Sequence, residues 1–479
     1  MVNKKLKRLS TRSLLFTGLV SLLSGCVSVD PQHLDWSKES VPAQWSSPVA
    51  LEDVSKVYLN RQSFWSSWND PELARLMALA LERNTDLAQA IASIKESAAL
   101  LDQKEGAWLP TGDLVGETKR SFAADTHVDQ VRAQGALKWS FNLAGAQYFA
   151  QQAAKLNVMS SQAAYKSVKE RVLAQVADTY VRYRLAQARL TLLSAMIANQ
   201  KASNALVRAR VDAGLDTESE RLLSESQLAE LVARRPALEL EKERAQHALA
   251  RLTKLPWDRL ALEDHEGLPH LESEVALSFP LAVLEQRADV QAAKLKVQAQ
   301  MNRLSEAKAQ FYPSLTLSGS IGSVAGTLSA LGTSGTGVGA LAGALNIPIL
   351  HWSELQTQHR GAQAQLEGSL AQYGKTLVGA LEEVENALSA VRLGREKVAL
   401  QSVTVERLQA SESLSEKEFN AGLTEYSRFL MAQRSLQSAQ DAYLRFQGEA
   451  LLNLIELYRA TGGSWMPFDM NKTNTTGEQ

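Results

Sequence analysis

The sequence predicts a mainly α-helical fold with a membrane β-barrel portion, built from two tandem copies of one unit. Three observations predict it. First, Asn84-Thr85-Asp86-Leu87 and Trp108-Leu109-Pro110 recur as Arg287-Ala288-Asp289-Val290 and Phe311-Tyr312-Pro313, both at an offset of 203 residues. Second, in each copy a helical polar–apolar pattern turns into period-two alternation at the aromatic–proline hinge. Third, Ala146–Asp212 and Ser353–Asn420 carry no proline and read as single helices, the first roughly 100 Å long at 1.5 Å per residue.

Bulk composition narrows the function classes. The 479 residues carry a net charge of −1, 45% hydrophobic residues and 12 prolines. That is ample for a large core, and the near-neutral charge gives no reason to expect nucleic acid. The single cysteine, Cys26, excludes an internal disulfide framework.

The elements follow in order. Residues 26–70 read as an extended arm with Pro31, Pro42 and Pro48. The first repeat, 71–254, opens at Asp70, an N-cap, with Pro71 at the first helical position. One helix is expected from there to about Ala107, roughly 55 Å long. Strands are expected over Leu114–Phe122 and Val131–Phe141, with Ala123–Gln130 as a polar loop; their length matches the roughly 9–11 residues of a membrane strand. In the second strand Val131, Ala133, Leu137, Trp139 and Phe141 share a face opposite Arg132, Gln134, Lys138, Ser140 and Asn142. A soluble hairpin half-packed on a core would alternate in the same way. The long helix ends at Ala213-Gly214-Leu215-Asp216-Thr217, where Gly214 suits a left-handed C-cap and Asp216 or Thr217 an N-cap. A return helix, interrupted at Pro236, reaches Lys254, and residues 255–279 form a connector.

The second repeat, 280–460, runs helix to Gln310, strand Ser314–Ile321, a Gly/Ser/Thr loop, strand Gly339–Ile347, long helix, turn Ala421-Gly422-Leu423-Thr424 and a last helix from Tyr426 to Ala460. Leu370, Leu377, Val384, Val391, Val398 and Val405 recur every seventh residue, the mark of a helix packed as a coiled coil. Residues 461–479 read as a disordered polar tail. Gly214 and Gly422 differ by 208 rather than 203, so the second hairpin absorbs five extra residues.

Four strands per chain leave open edges, whereas a bilayer tolerates only closed barrels. Closure therefore requires several chains: two would give a nearly filled eight-stranded barrel, three a twelve-stranded one with a passage. Trp108, Trp139, Phe141, Phe311 and Tyr312 gather at the hinge end of the strands, as in an aromatic girdle at a membrane interface.

Two resemblances extend this reading. The basic start, the short apolar run Leu14–Leu23 and Leu23-Ser24-Gly25-Cys26 resemble a bacterial lipoprotein signal peptide. This implies removal of 1–25 and a covalent lipid such as palmitate on Cys26; Val27 implies sorting to the outer membrane. The doubled unit, the hinges, Trp-Asn-Asp-Pro-x-Leu and the Ala-Gly-Leu turns resemble outer-membrane efflux proteins of the TolC type, in the lipoprotein branch serving resistance-nodulation-division pumps. The likeness runs from about Trp65 to Trp465.

The resemblance implies a homotrimer in the outer membrane of a Gram-negative bacterium, a twelve-stranded barrel and a long periplasmic α-barrel. It also implies a periplasmic adaptor and an inner-membrane transporter as partners, and passive conduction of small molecules. Protein secretion through the same conduit and a non-conducting scaffold are the alternatives. No catalytic, metal or cofactor site is expected: histidines and methionines are scattered, and Gly337-Val338-Gly339 lies in a strand rather than before a helix. The resemblance places a periplasmic gate at Glu418, Phe419, Glu425 and Arg428. Arg428 and Met431 stand where some members carry aspartates. Adaptor contacts are expected at Gly214, Leu215, Asp216 and Thr217 and at Gly422, Leu423 and Thr424.

Overall fold

Proline and glycine decide where this chain changes direction, and capping side chains decide where its helices break. The computed structural model describes residues 41–42, 44–46, 50–51, 63–123, 126–260, 262, 267–269, 274–277, 280–463 and 466–468. Cys26, the signal segment and most of the arm lie outside the described residues. The elements are β1 (Ala50–Leu51), α1 (Ser63–Ser66), α2 (Pro71–Arg83), α3 (Thr85–Gly106), β2 (Thr111–Ala123), β3 (Thr126–Asn142), α4 (Ala146–Asp212) and α5 (Glu218–Thr253). A 3-10 turn at Trp257–Arg259 precedes β4 (Glu274–Leu277), α6 (Pro280–Gln286), α7 (Ala288–Ala309), β5 (Ser314–Ala325), β6 (Gly337–Asn346), α8 (Trp352–Asn420), α9 (Tyr426–Ala460) and β7 (Met466–Phe468).

Asp70 caps α2 by accepting from Leu73 N at 3.0 Å, and Pro71 occupies the first turn, where its missing N–H costs nothing. The expected single helix from here to Ala107 is instead two. Asn84 takes an extended backbone, accepts from Asp86 N at 2.8 Å and donates through Nδ2 to Leu252 O at 2.9 Å. The same break recurs at Arg287, which is buried and donates to Asp289, Glu383 and the Ala460 carbonyl. The echoed tetrapeptides therefore mark helix breaks, not helix interiors.

The hinges themselves are tight turns of one design. Trp108 N donates to Glu105 O and Leu109 N to Gly106 O; at the second hinge Phe311 N donates to Lys308 O and Tyr312 N to Ala309 O. Beyond each, the strands are longer than the alternation suggested. β2 pairs with β3 from Thr111↔Lys138 to Ala123↔Thr126, so most of the expected loop 123–130 is strand. The Arg120–Asp129 ion pair, bridged across the two strands, explains why polar residues extend the ladder there.

The four long strands form one antiparallel sheet in the order β2-β3-β5-β6. β1, β4 and β7 form a second, three-stranded sheet. Glu274–Leu277 of the expected connector and Met466–Phe468 of the expected disordered tail are thus strand, and Pro467 is tolerated because β7 is an edge. α5 continues through Pro236 rather than breaking there. The carbonyl that loses its partner belongs to Val232, which is 47% exposed, so water can satisfy it.

Among the described residues the chain divides into two compact units: Ser93–Gln162 with Ala292–Lys375, and the remainder. The first holds the four-stranded sheet and the adjoining helix segments. The second holds the α4–α5 and α8–α9 hairpin ends, the small sheet and most of the buried core, including Leu377, Val384 and Val391 of the seven-residue series. Its described arm residues dock on α8: Trp45 is buried, and Ser46 donates through its N–H to Glu385 Oε1 at 2.9 Å.

Candidate functional site: an amphipathic sheet and two helical turns

The sheet register assigns every strand side chain to one of two faces. Leu114 lies opposite Gly135, which lies opposite Ile321, which lies opposite Gly339. With Leu137, Trp139, Phe141, Leu317 and Leu341 they make one apolar face. These side chains are open to the surroundings, Leu114 at 94% and Leu341 at 91% exposure. Glycines sit beside the leucines, so that Leu137 lies 3.1 Å from the Cβ position of Gly112 and Leu317 3.4 Å from that of Gly343.

The opposite face carries Asp113, Glu117, Lys119, Arg132 and Lys138 together with Gln134, Ser140 and Thr316. Within the strands the only charged residues on the apolar face are Arg120 and Asp129, which bond to each other with Arg120 Nη2 donating at 2.8 Å. From Thr111 to Arg120 the strand climbs about 30 Å. Tilted by about 40°, that is a rise of about 23 Å, close to the roughly 25 Å apolar band of a membrane barrel. The outer edges of β2 and β6 have no strand partner among the described residues.

At the foot of the sheet stand the hinge aromatics. Trp139 Nε1 donates to Trp108 O at 3.0 Å, Trp108 Nε1 to Gln151 at 3.2 Å, and Trp139 packs on Phe141. Phe311 packs edge-on against Trp352, and Tyr312 is exposed. Asn142, which the sequence marks only as a polar-face residue, closes this region: its Nδ2 donates to the Ala309 and Tyr312 carbonyls of the other hinge. On the polar side a cavity of about 850 Å³ is lined by Ser140, Asn142, Asn346, Lys104, Glu306 and their neighbours.

The two helical turns share a backbone. Gly214 and Gly422 adopt φ of 73° and 72°. Leu215 N donates to Arg210 O at 2.8 Å and Leu423 N to Glu418 O at 2.9 Å, the six-to-one bond of a left-handed helix cap. In such a cap the residue after glycine usually packs back on the helix. Here Leu215 and Leu423 remain 68% and 79% exposed.

Their side-chain chemistry differs. At the first turn Arg210 grips Asp216 through two hydrogen bonds of 2.7 and 3.0 Å, and Thr217 with Glu220 forms a reciprocal capping box. At the second turn the corresponding residues are Glu418, Thr424, Glu425 and Arg428. Glu425 is the N-cap residue of α9 and makes no side-chain cap bond, and Arg428 has no ion-pair partner among the described residues. Phe419 is not on the surface of the turn: it is 1% exposed, packed with Val207, Tyr426, Phe429 and Leu430 and covered by the Arg210 guanidinium at 4.8 Å. Beneath it the Tyr426 hydroxyl receives Gln200 Nε2 at 3.1 Å and donates to Ser224 Oγ at 3.0 Å. Tyr426 and Arg210 thus tie the second turn to the first hairpin. Neither was signalled by the sequence, because each acts through a residue more than two hundred positions away.

The family model for outer membrane efflux proteins matches twice, over residues 76–255 and 280–463. The chain belongs to that family. Related proteins of Pseudomonas putida include the pyoverdine export outer membrane protein OpmQ, 27% identical over 88% of this chain and 92% of its own, and the toluene efflux pump outer membrane protein TtgI, 27% identical over 93% and 96%. Solved structures with the same fold include the outer-membrane channel OprN, with a TM-score of 0.80 at 24% identity over 87% of this chain and 97% of its own. The Campylobacter jejuni CmeC outer membrane channel gives 0.79 at 20% over 89% and 95%. The efflux protein is accordingly an outer-membrane component of an efflux pump, in a family of channel proteins rather than enzymes.

Proposed function

We propose that three copies of the efflux protein close their sheets into one twelve-stranded barrel, with the apolar faces against lipid and the charged faces lining a passage for small organic molecules. The observation that carries this reading is the four-stranded sheet itself. Among the described residues, nothing covers its leucine-rich face and nothing pairs with its two outer strands, a combination that a bilayer accepts only after closure. Relatives are named for toluene, solvent, antibiotic and pyoverdine transport, which are all small molecules.

In this reading a lipid on Cys26 adds a second membrane attachment. The exposed Leu215 and Leu423 offer apolar tips to a helical adaptor, which hands on solutes from an inner-membrane transporter. The periplasmic entrance is controlled at the second turn. Glu418, Glu425 and Arg428 form charged rings there once three chains assemble, and Phe419 holds the turn from inside. The test is solute accumulation in cells lacking the protein and complemented with it or with Cys26→Ala. Restored extrusion of a small hydrophobic dye supports the assignment. Restored secretion of a polypeptide without dye extrusion would replace it, and palmitate still incorporated by the Cys26→Ala protein would remove the anchor.

A further inference from the structure

We infer that the barrel and the vestibule at its foot select for anions, so that this protein passes acidic solutes more readily than basic ones. The inference rests on the channel reading above and adds the charge of the solute. On the polar face of the sheet three cations, Lys119, Arg132 and Lys138, stand against two carboxylates, Asp113 and Glu117. Glu117 lies directly opposite Arg132 in the register. Pairing those two off leaves Lys119 and Lys138 against Asp113 alone. β5 and β6 contribute no charged residue to either face.

The same imbalance continues below the strands. The 850 Å³ cavity shares Lys104, Ala150 and Glu306 with a second cavity of about 590 Å³, which adds Glu96, Lys296 and Arg303. There again three cations face two carboxylates. Glu306 is neutralised in part by the charges of Lys104 and Arg303, which leaves one cation of the three in excess in this region. Each region carries a net charge of one positive unit per chain, and threefold assembly triples it.

Geometry makes a modest excess effective. A twelve-stranded barrel has a backbone radius of roughly 12 Å. After side chains are subtracted, every point in the lumen lies within about one Debye length of the wall at physiological salt. The ring of cations is therefore not screened from a passing solute, and rings of this kind set the preferred sign of a pore. At the second turn Arg428 and Met431 are exposed on α9 while the carboxylates of Glu418 and Glu425 stand beside them, so the anion preference is assigned to the barrel and the vestibule and not to the turn.

The experiment is the reversal potential of the purified protein in planar bilayers under a KCl gradient, in wild type and in a Phe419→Ala background that loosens the turn without changing charge. The expected chloride-to-potassium permeability ratio is above one. In Lys119→Gln/Arg132→Gln/Lys138→Gln it falls below one, and in Asp113→Asn/Glu117→Gln it rises above the wild-type value, so the inference is tested in both directions even where one variant assembles poorly. A conducting wild type that prefers potassium, or a ratio unmoved by either set, overturns the anion preference and leaves the channel intact. Absence of conductance in both backgrounds overturns the channel reading as well.

Discussion

Replacing Phe419 by alanine tests how the second turn is held. The side chain is 1% exposed, its ring stacks parallel to Phe429 at 5.8 Å and packs on Tyr426 at 5.6 Å, and Arg210 lies over it. Truncating a buried phenylalanine costs about 3–5 kcal/mol, and the lost guanidinium–ring contact adds about 0.5–1 kcal/mol. The turn has no side-chain cap to compensate, because Glu425 makes none. Local opening of the α8–α9 turn should then become more frequent by roughly three to four orders of magnitude, at about 1.4 kcal/mol per tenfold. Hydrogen exchange of peptides covering residues 414–432 reads this directly, with β2 and β3 as an internal control. Acceleration confined to the α8–α9 turn is the expected result. Exchange there unchanged within a few-fold, or acceleration spread evenly over the whole chain, would refute the idea that Phe419 is a local fastening.

Other substitutions probe separate parts of the structure. Tyr426→Phe removes the hydroxyl shared by Gln200 and Ser224; about 1–3 kcal/mol should be lost, seen as faster exchange in both hairpins, whereas Ser427→Ala at the exposed neighbour should change little. Gly322→Ala would drive a methyl group into the Ala133 carbonyl and 2.5 Å from the Gln134 Cα. Pairing of β3 with β5 should fail, and the proposed trimer should be missing from cross-linked samples, while Gly116→Ala, where nothing lies within 4 Å, should assemble normally. Burial alone would raise the Asp289 carboxyl, but the hydrogen bonds and charge of Arg287 outweigh it and hold Asp289 below the usual aspartate range. Its contribution to stability is present above the ordinary aspartate pKa and is lost as pH falls through the lowered value. Wild-type melting temperature should therefore drop on acidification more steeply than that of Asp289→Asn.

Much of this architecture is written in residues with local consequences. Gly214 and Gly422 announce their turns because only glycine adopts that backbone without strain, and Pro110 and Pro313 announce the hinges because a helix cannot run through them. The long helix α4 begins and ends where its composition changes. The breaks at Asn84 and Arg287 are different. A polar residue in a helical pattern looks like any other, and what stops the helix is its bond to a distant carbonyl, Leu252 in one copy and Ala460 in the other. The small sheet was hidden because strands of two to four residues have no period to detect. The loop-end extension of β2 and β3 was hidden because Asp129, in a polar stretch, reads as a loop residue until it is seen to pair with Arg120. At the second helical turn, Gly422 announced the turn; the burial of Phe419 and its cover by Arg210 depend on packing between hairpins.

The central claim is that the sheet meets lipid on one face and water on the other. Cys26 is the only native cysteine, so single cysteines placed along β2 and β3 report cleanly. Labelling of the outer-membrane-embedded protein with a membrane-impermeant, charged thiol reagent should alternate with period two. Gln134→Cys and Lys138→Cys should react, while Leu114→Cys and Leu137→Cys should be protected until detergent is added. Equal reactivity on both faces, or protection of the polar face instead, would contradict the account.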